Sequence, residues 1–391
     1  MIKLLQQLRR RTPLGWIQLR HDTTRLLVSI GGIAFADILM FMQLGILNAL
    51  YDSNTALHRQ LQTDIVLIST QARQLTNLSS FPRRRLYQAM DIPGVVSAEA
   101  LYINFIDWKH PKTQRKTAML IVGVNPDHRA IALSEVNQNL DKIKLPNTVL
   151  FDRASRGDYQ WVIDQVSQGK TVSTEIERIT ITIDGLFELG ASFTTDGTLI
   201  TSDQSFLRLF PKRQAGQISL GFVQVQAGYD AEQVVKVLNE YLPKDVKALT
   251  KQEFIDFEKA YVDQNQPIAF VFGLATVIGF IVGVVIVYQI LSTDVNDHLA
   301  EYATFKAMGY RDRYLLGVIF EEALILAAIG FIPGVGVSLG LYSLLRQVGA
   351  LPVYMPLLRL LLVFTLTMVM CSISGIVATR RLRSADPADI F

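Results

Sequence analysis

The sequence predicts a helical membrane protein with four α-helical spans and one large α+β domain between the first span and the second. Three observations predict it. Hydrophobic residues fill 50% of the 391 positions and charged residues only 19%, against about 25% charge in ordinary soluble domains. Mean hydropathy is +0.27, lower than a chain held wholly inside a bilayer would show. The apolar residues gather in four stretches that reach the roughly 20 residues a crossing needs, while residues 51–267 read as strands and amphipathic helices.

The first span covers residues 26–50. The second, 268–291, has 24 residues and no charge. The third, 315–345, is too long for a straight crossing, and Pro333 is expected to kink it or to end an inner half-helix. The fourth is 357–379. A basic stretch precedes the first span, yet its apolar part exceeds a signal-peptide core and no A-x-A-like site follows, so it reads as a permanent anchor.

Lys and Arg near the spans set the orientation. Residues 1–25 carry Lys3, Arg9, Arg10, Arg11, Arg20 and Arg25 against one acid, Asp22, which holds that end in the cytoplasm. Arg380, Arg381 and Arg383 hold the 380–391 tail there too. Four spans put both ends on one side, so the two signals agree. The 292–314 loop is then cytoplasmic and the 51–267 domain lies outside.

Several chemistries are excluded. A net charge of +3 leaves no nucleic-acid footprint. Cys371, the single cysteine, excludes an intramolecular disulfide framework. The histidines at 21, 58, 110, 128 and 298 have no metal-ligand partner at helical spacing. No G-x-x-x-x-G-K-[ST] motif is present, so no P-loop cradles a nucleotide; any ATP is bound by another subunit.

The outer domain opens and closes on related pieces. Residues 64–69 read as a strand, 82–90 as a helix, and 95–108 as one long strand or two. Near the end, 218–226 alternates as a strand, 230–241 is an amphipathic helix and 246–249 a short strand. Two such β-α-β pieces, separated in sequence, predict a split ferredoxin-like lobe. A β-rich insertion at about 110–205 forms a second lobe, with strands expected at 117–124, 148–151 and 178–189. Leu47, Leu50, Asn54, Leu57 and Leu61 follow 3-4 spacing, as do Phe254, Phe257 and Tyr261. These stripes predict that the first two spans continue outward as a packed stalk. The bland alternative is an ordinary domain-core stripe.

Within the spans, Gly336-Val-Ser338-Leu-Gly340 matches G-x-S-x-G. A nucleophilic serine needs a base within hydrogen-bond reach, and no histidine lies in any span. Small-residue packing is the preferred reading: Gly330, Gly334, Gly336 and Gly340 make two GxxxG pairs, and Gly279 and Gly283 a third. Asp37, Glu321 and Glu322 are acids in apolar segments, each costing about 2.5–3.5 kcal/mol near a helix centre. Asp37 therefore needs a polar partner or water. Arg359 is expected to snorkel to the outer interface.

The cytoplasmic loop is the most informative segment. Leu299, Tyr302, Ala303, Phe305, Lys306 and Met308 give a short amphipathic helix, and Gly309 fits its C-cap. An apolar face on a short cytoplasmic helix needs a partner: the headgroup layer, or another protein into which it docks as a coupling helix.

Here the sequence resembles a known family. Glu301-Tyr-Ala-Thr-Phe-Lys-Ala-Met-Gly-Tyr310 resembles the E-x-x-x-(L/F)-(K/R)-A-(L/M)-G coupling segment of MacB/FtsX-type ABC transporter permeases, with Tyr302 where isoleucine is common. Glu322 resembles the acid that often follows. Ala378-Thr-Arg-Arg-Leu-Arg-Ser-Ala-Asp-Pro-Ala-Asp resembles that family's tail. Within it, the sequence is similar to the DevC-type permease of cyanobacterial DevBCA-like exporters. The stretches that carry this are Arg11-Thr-Pro-Leu-Gly-Trp-Ile-Gln-Leu, Phe151-Asp-Arg-Ala-Ser-Arg, Gly185-Leu-Phe-Glu-Leu-Gly-Ala-Ser-Phe and Asp196-Gly-Thr-Leu-Ile-Thr-Ser-Asp.

The resemblance implies an inner-membrane permease with a periplasmic domain, working as a homodimer with two copies of a separate ABC ATPase. ATP and Mg would sit on that ATPase, with no cofactor in this chain. It further implies a periplasmic adaptor (a DevB-like membrane fusion protein), a TolC-like outer-membrane channel, contact with membrane lipid, and glycolipid of the heterocyst envelope as cargo. No enzyme activity is expected of the chain itself. The competing reading is an FtsX-like membrane unit that regulates a periplasmic enzyme without transport.

Overall fold

The computed structural model describes residues 23–176, 178–265, 267–298, 304, 308, 312–349 and 351–384. In chain order the elements are α1 (Thr23–Asn54), α2 (Ala56–Gln60), β1 (Ile65–Ser69), β2 (Phe81–Pro82), α3 (Arg84–Met90), β3 (Val95–Lys109), β4 (Lys116–Val124), α4 (Ser134–Gln138), α5 (Leu140–Ile143), β5 (Thr148–Asp152), α6 (Gln160–Ser167) and β6 (Val172–Ile176). They continue with β7 (Ile179–Phe187), β8 (Gly197–Ser202), α7 (Asp203–Leu209), β9 (Gln217–Ile218), β10 (Leu220–Val225), α8 (Ala231–Tyr241), β11 (Val246–Thr250), α9 (Lys251–Asn265), α10 (Pro267–Asp297), α11 (Asp312–Gly349) and α12 (Leu357–Ser384). The chain divides into two compact units, one built on Ala49–Ile268 and the other on the apolar helices.

In the large domain, β11, β1, β10 and the first half of β3 lie side by side, every pair antiparallel. Chain order β1-α3-β3, then β10-α8-β11, with strand order β11-β1-β10-β3, is the ferredoxin-like arrangement. Leu86 and Ala89 of α3, and Val234, Val235 and Leu238 of α8, cover one face. The α8 helix starts where Asp230 accepts the Glu232 N–H, an N-cap. Leu57, Leu61 and Phe254 cover the other face, in one core with Val66, Ile68, Leu101 and Phe222.

The insertion is the β-rich sheet expected, and it is joined to the first. Val95–Lys109 is a single strand whose first half pairs with β10 and whose second half, Tyr102–Lys109, pairs with β4. Beyond β4 the order runs β8-β5-β7-β6, with β4·β8 and β5·β7 parallel. One sheet of nine strands results.

Among the described residues, four helices are long and apolar enough to cross a membrane: Leu26–Asn54, Pro267–Asp297, Gly317–Gln347 and Leu357–Ala378. Pro333 lies inside α11, which continues through it rather than ending there. Neighbouring helices make such a proline tolerable. The core of this unit joins Ile33 and Ala36 of α1, Val287 and Leu291 of α10, Ala323, Leu326 and Ala327 of α11, and Met370 and Cys371 of α12.

In the insertion, Asp152 at the end of β5 is fully buried. Its carboxylate accepts the N–H groups of Ala154, Leu189 and Gly190 at 2.9–3.0 Å. Burial pushes its pKa from 3.8 up to about 6, against the pull of those three bonds. The folded state therefore holds this proton more tightly than the unfolded chain does. The stabilisation is complete below about pH 4 and is lost as pH rises through about 6, on the order of 3 kcal/mol in all. Melting temperatures of the purified chain should fall over that window, and Asp152→Asn should flatten this part of the pH profile; an unchanged profile in the variant refutes the assignment.

Candidate functional site: the coupling segment, the stalk and the polar contacts of the membrane helices

The α10 helix runs six residues past the expected end of the second span, to Asp297. Ser292, Asp294 and Val295 on this extension are buried, and the His298 amide bonds the Asp294 carbonyl at 3.1 Å. Of the coupling residues, Leu299, Glu301, Tyr302, Phe305, Lys306, Gly309 and Tyr310 lie outside the described residues. The Met308 amide donates to the Thr304 carbonyl at 3.0 Å, and Met308 is 61% exposed.

The two stalk stripes meet within the large domain. Leu50 is buried and Leu47 half-buried on α1; Leu57 and Leu61 follow in the core. Phe254 of α9 is buried, with Phe257 and Tyr261 half-buried. The Phe254 ring lies 4.5 Å from the His58 ring. The carboxylate of Glu258, one turn on, accepts the Leu75 N–H at 2.8 Å and lies 3.6 Å from His58 Nε2. The Tyr51 hydroxyl donates to Asp263, and Arg59 pairs with Asp52 at 2.6 Å. The short helix α2 that follows the first span thus packs on the helix that precedes the second, and Tyr51 at the end of α1 adds one bond to it. The stripe is at the same time part of the domain core, because Leu57, Leu61 and Phe254 cover the sheet. Sequence reasoning missed His58 and Glu258. Their signal was position: each polar group stands one residue after a stripe position, at Leu57 and Phe257.

Among the apolar helices, Asp37 is fully buried and accepts the Thr367 hydroxyl at 2.6 Å. This is the polar partner that its position demands. Glu322 is buried and Glu321 half-buried. Ser338 is buried and donates to the Gly334 carbonyl at 2.7 Å, one turn back along its own helix, so its hydroxyl is spent on backbone. Arg359 turns into the helices rather than outward. Its guanidinium donates to the Tyr354 carbonyl at 2.6 Å and lies beside the Tyr342 hydroxyl at 3.4 Å. Tyr342 in turn donates to the Phe41 carbonyl. Both Arg359 contacts use Nη1, while its Nε is buried with no hydrogen-bond partner among the described residues.

The glycines divide. A Cβ at Gly330 would lie 2.8 Å from Ile33, and one at Gly334 2.9 Å from the Cβ of Asp37. Gly279 faces Leu39 and Met40, and Gly283 faces Ala36 and Met370. Gly336 and Gly340 meet nothing within 4 Å and are exposed.

Three of the stretches singled out in the sequence converge in the insertion. Asp152 holds Leu189 and Gly190. Arg156 pairs with Asp196 at 3.1 Å and donates to the Ser192 carbonyl, and Arg153 pairs with Glu188 at 2.9 Å. A Cβ on Gly197 would strike Ser155. They form one structural knot at the ends of β5, β7 and β8.

Comparison with known proteins bears on the membrane helices first. Residues 273–387 match the family model "FtsX-like permease C-terminal", a segment that runs from α10 through α12 and includes the coupling residues. No curated protein matches the chain. Three solved structures are similar over about half of it. The periplasmic region of MacB from Actinobacillus actinomycetemcomitans has 9% identity and a TM-score of 0.34, covering 53% of this chain and 95% of that one. The extracellular domain of the noncanonic ABC-type transporter YknZ from Gram-positive bacteria has 10% identity and a TM-score of 0.33, covering 48% and 98%. A domain of a permease protein from Porphyromonas gingivalis has 12% identity and a TM-score of 0.30, covering 49% and 89%.

The glycine contacts give a contrast that can be measured. Gly330→Leu and Gly334→Leu should each cost about 1–3 kcal/mol by overpacking and reduce the folded fraction eluting as a single species in detergent. Gly336→Leu and Gly340→Leu should leave the folded chain intact. Equal losses in all four would contradict this packing. From 273 to 387, then, the chain is similar to the C-terminal region of an FtsX-like permease.

Proposed function

We propose that the chain is the transmembrane subunit of a MacB-like ABC exporter, a mechanical relay that does not itself hydrolyse ATP. The observation that carries the reading is the family match over residues 273–387, which takes in three apolar helices and the coupling segment between two of them. Two copies of a separate ATPase dock on the 299–310 segment of a homodimer and bind the ATP and Mg. Met308, which is exposed, fits a docking residue. Closure of the ATPase displaces this segment, and α10 and α1 carry the displacement to the large periplasmic domain. Coupling of this kind requires the nucleotide states to favour different conformations of the permease. Both termini are cytoplasmic, as the arginines at either end indicate.

The cargo lies in the periplasm or the outer leaflet and leaves through a DevB-like adaptor and a TolC-like channel. The DevC-like stretches favour a glycolipid, such as that of the heterocyst envelope. The packing that follows the first span supports the relay, since α9 is bonded to the last turn of α1 through Tyr51–Asp263 and packs on α2 through Phe254, Glu258 and His58. The family match fits a second reading equally, an FtsX-like unit that activates a periplasmic enzyme.

In vesicles containing the chain, its ATPase and the adaptor, Met308→Asp should leave ATP hydrolysis measurable while export falls at least ten-fold. Normal export by the variant contradicts the docking role. Co-purification with a cell-wall hydrolase in place of an adaptor would move the assignment to the regulatory reading.

A further inference from the structure

The large domain holds a cleft of about 780 Å³ with no role in the relay. One wall is the segment between α2 and β1, from Leu61 to Asp64. The roof is the chain after β4, held over that segment by backbone bonds from Gln62 N to Ala130 O (2.9 Å) and from Ala132 N to Gln60 O (2.7 Å). The floor is the end of the ferredoxin-like sheet, where Gln224 of β10 pairs with Ser97 of β3. Gln224 lies on the same sheet face as Leu220 and Phe222, which belong to the apolar core. That face therefore changes from apolar to polar at the cleft.

The lining is chemically distinctive. Four carboxamides converge on it: Gln62, Asn137, Gln138 and Gln224. The Asn137 amide donates to the Ile131 carbonyl at 3.0 Å, and its Oδ1 is buried with no partner among the described residues. The three glutamine amides are engaged with no other described residue. Arg129 and Lys251 bring two cations and Asp64 one carboxylate, the latter already accepting the Val225 N–H at 2.9 Å. A smaller cavity of about 110 Å³ shares Gln62, Arg129 and Gln224 and adds Glu99 and His128, which are 3.4 Å apart.

Each carboxamide offers donors and an acceptor at once, so this surface matches a ligand that also presents both in close succession. Opposite charges among the lining disfavour a polyanion. The near absence of apolar side chains disfavours an acyl chain. The strands beneath, β1 and β10, are paired on both sides, which leaves no edge there for an extended peptide to join. The volume lies within the range of small-molecule sites.

We propose that this cleft binds an uncharged, polyhydroxylated ligand, a sugar, through the amides of Gln62, Gln138 and Gln224 and the guanidinium of Arg129. Its bearing on cargo rests on the export reading above; the binding itself does not.

The test uses the purified full chain in lipid nanodiscs prepared without sugar detergents. Saturation-transfer NMR should give saturable binding of cellobiose and no binding of trialanine or inositol hexakisphosphate. Gln224→Leu and Arg129→Ala, both exposed positions, should each weaken cellobiose binding at least ten-fold with unchanged melting temperature. Gln138→Ala serves in place of either that melts early. A second arm adds monoglucosyl diacylglycerol to the nanodiscs. Displacement of cellobiose assigns the sugar to a lipid headgroup, and its retention assigns it to a free saccharide. No saturable cellobiose binding, binding indifferent to all three substitutions, or inositol hexakisphosphate binding through the same residues overturns the proposal. Sugar binding without ATPase-coupled export would leave the cleft standing and sink the export reading alone.

Discussion

The arrangement turns on the fastening of two helices at the base of the large domain. The α1 helix is continuous from Thr23 to Asn54, and α2, which follows it directly, cannot shift along α9 without breaking several contacts at once. Tyr51 would leave Asp263, and His58 and Phe254 would lose their ring contact. Glu258 would be left buried with one partner fewer, which costs about 1–3 kcal/mol or more for a charged group. Because Leu57, Leu61 and Phe254 also cover the ferredoxin-like sheet, the fastening and the domain core are the same packing. A displacement of these helices must therefore move the sheet or disrupt it. The single strand β3 then passes any movement of the first half of the sheet to the insertion.

The apolar helices show how polar groups are kept where water is scarce. Three have a partner on a neighbouring helix or nearby in the chain, Asp37 with Thr367, Ser338 with Gly334, and Arg359 with Tyr354 and Tyr342, while Asp37 Oδ2 and Arg359 Nε stay buried without a hydrogen-bond partner among the described residues. The first and last of these pairings tie α1 to α12 and α12 to α11 in register. The glycines do complementary work, since Gly330 and Gly334 let α11 lie directly against Ile33, Ala34 and Asp37 of α1. Close approach and hydrogen bonding thus act on the same pair of helices, where small residues and buried polar groups are known to associate spans. Gly336 and Gly340 present their bare faces outward and take no part in this packing.

Much of this was legible in the sequence, for identifiable reasons. Long apolar stretches announce spans by length alone, and the strands of the β-α-β pieces stand out as short apolar runs, β1 being buried along its whole length because helices cover both faces of the sheet. The strands that sequence reasoning did not name are instructive. In β8, Gly-Thr-Leu-Ile-Thr-Ser carries three hydroxyls, yet the strand is buried along its whole length between β4 and β5. Thr201 is accommodated by donating to the Thr148 carbonyl at 2.7 Å. In β6, only alternate residues of a short edge strand are buried, too few to stand out. The joining of both sheets through β3 depends on which half pairs with which partner, information that one strand's sequence does not hold. The His58–Glu258 contact was hidden for a similar reason: its two members are 200 positions apart and meet only because both helices pack on the same sheet.

We propose that the α2–α9 pair of the large domain moves when a partner binds nucleotide. It is tested most directly by a nitroxide placed at Gln252, an exposed position on α9, and by electron–electron distance measurements between the two copies in the assembled complex. The account predicts a shifted distance distribution between the nucleotide-free and ATP-analogue-bound states. Superimposable distributions, recorded with the ATPase demonstrably closed, would contradict it.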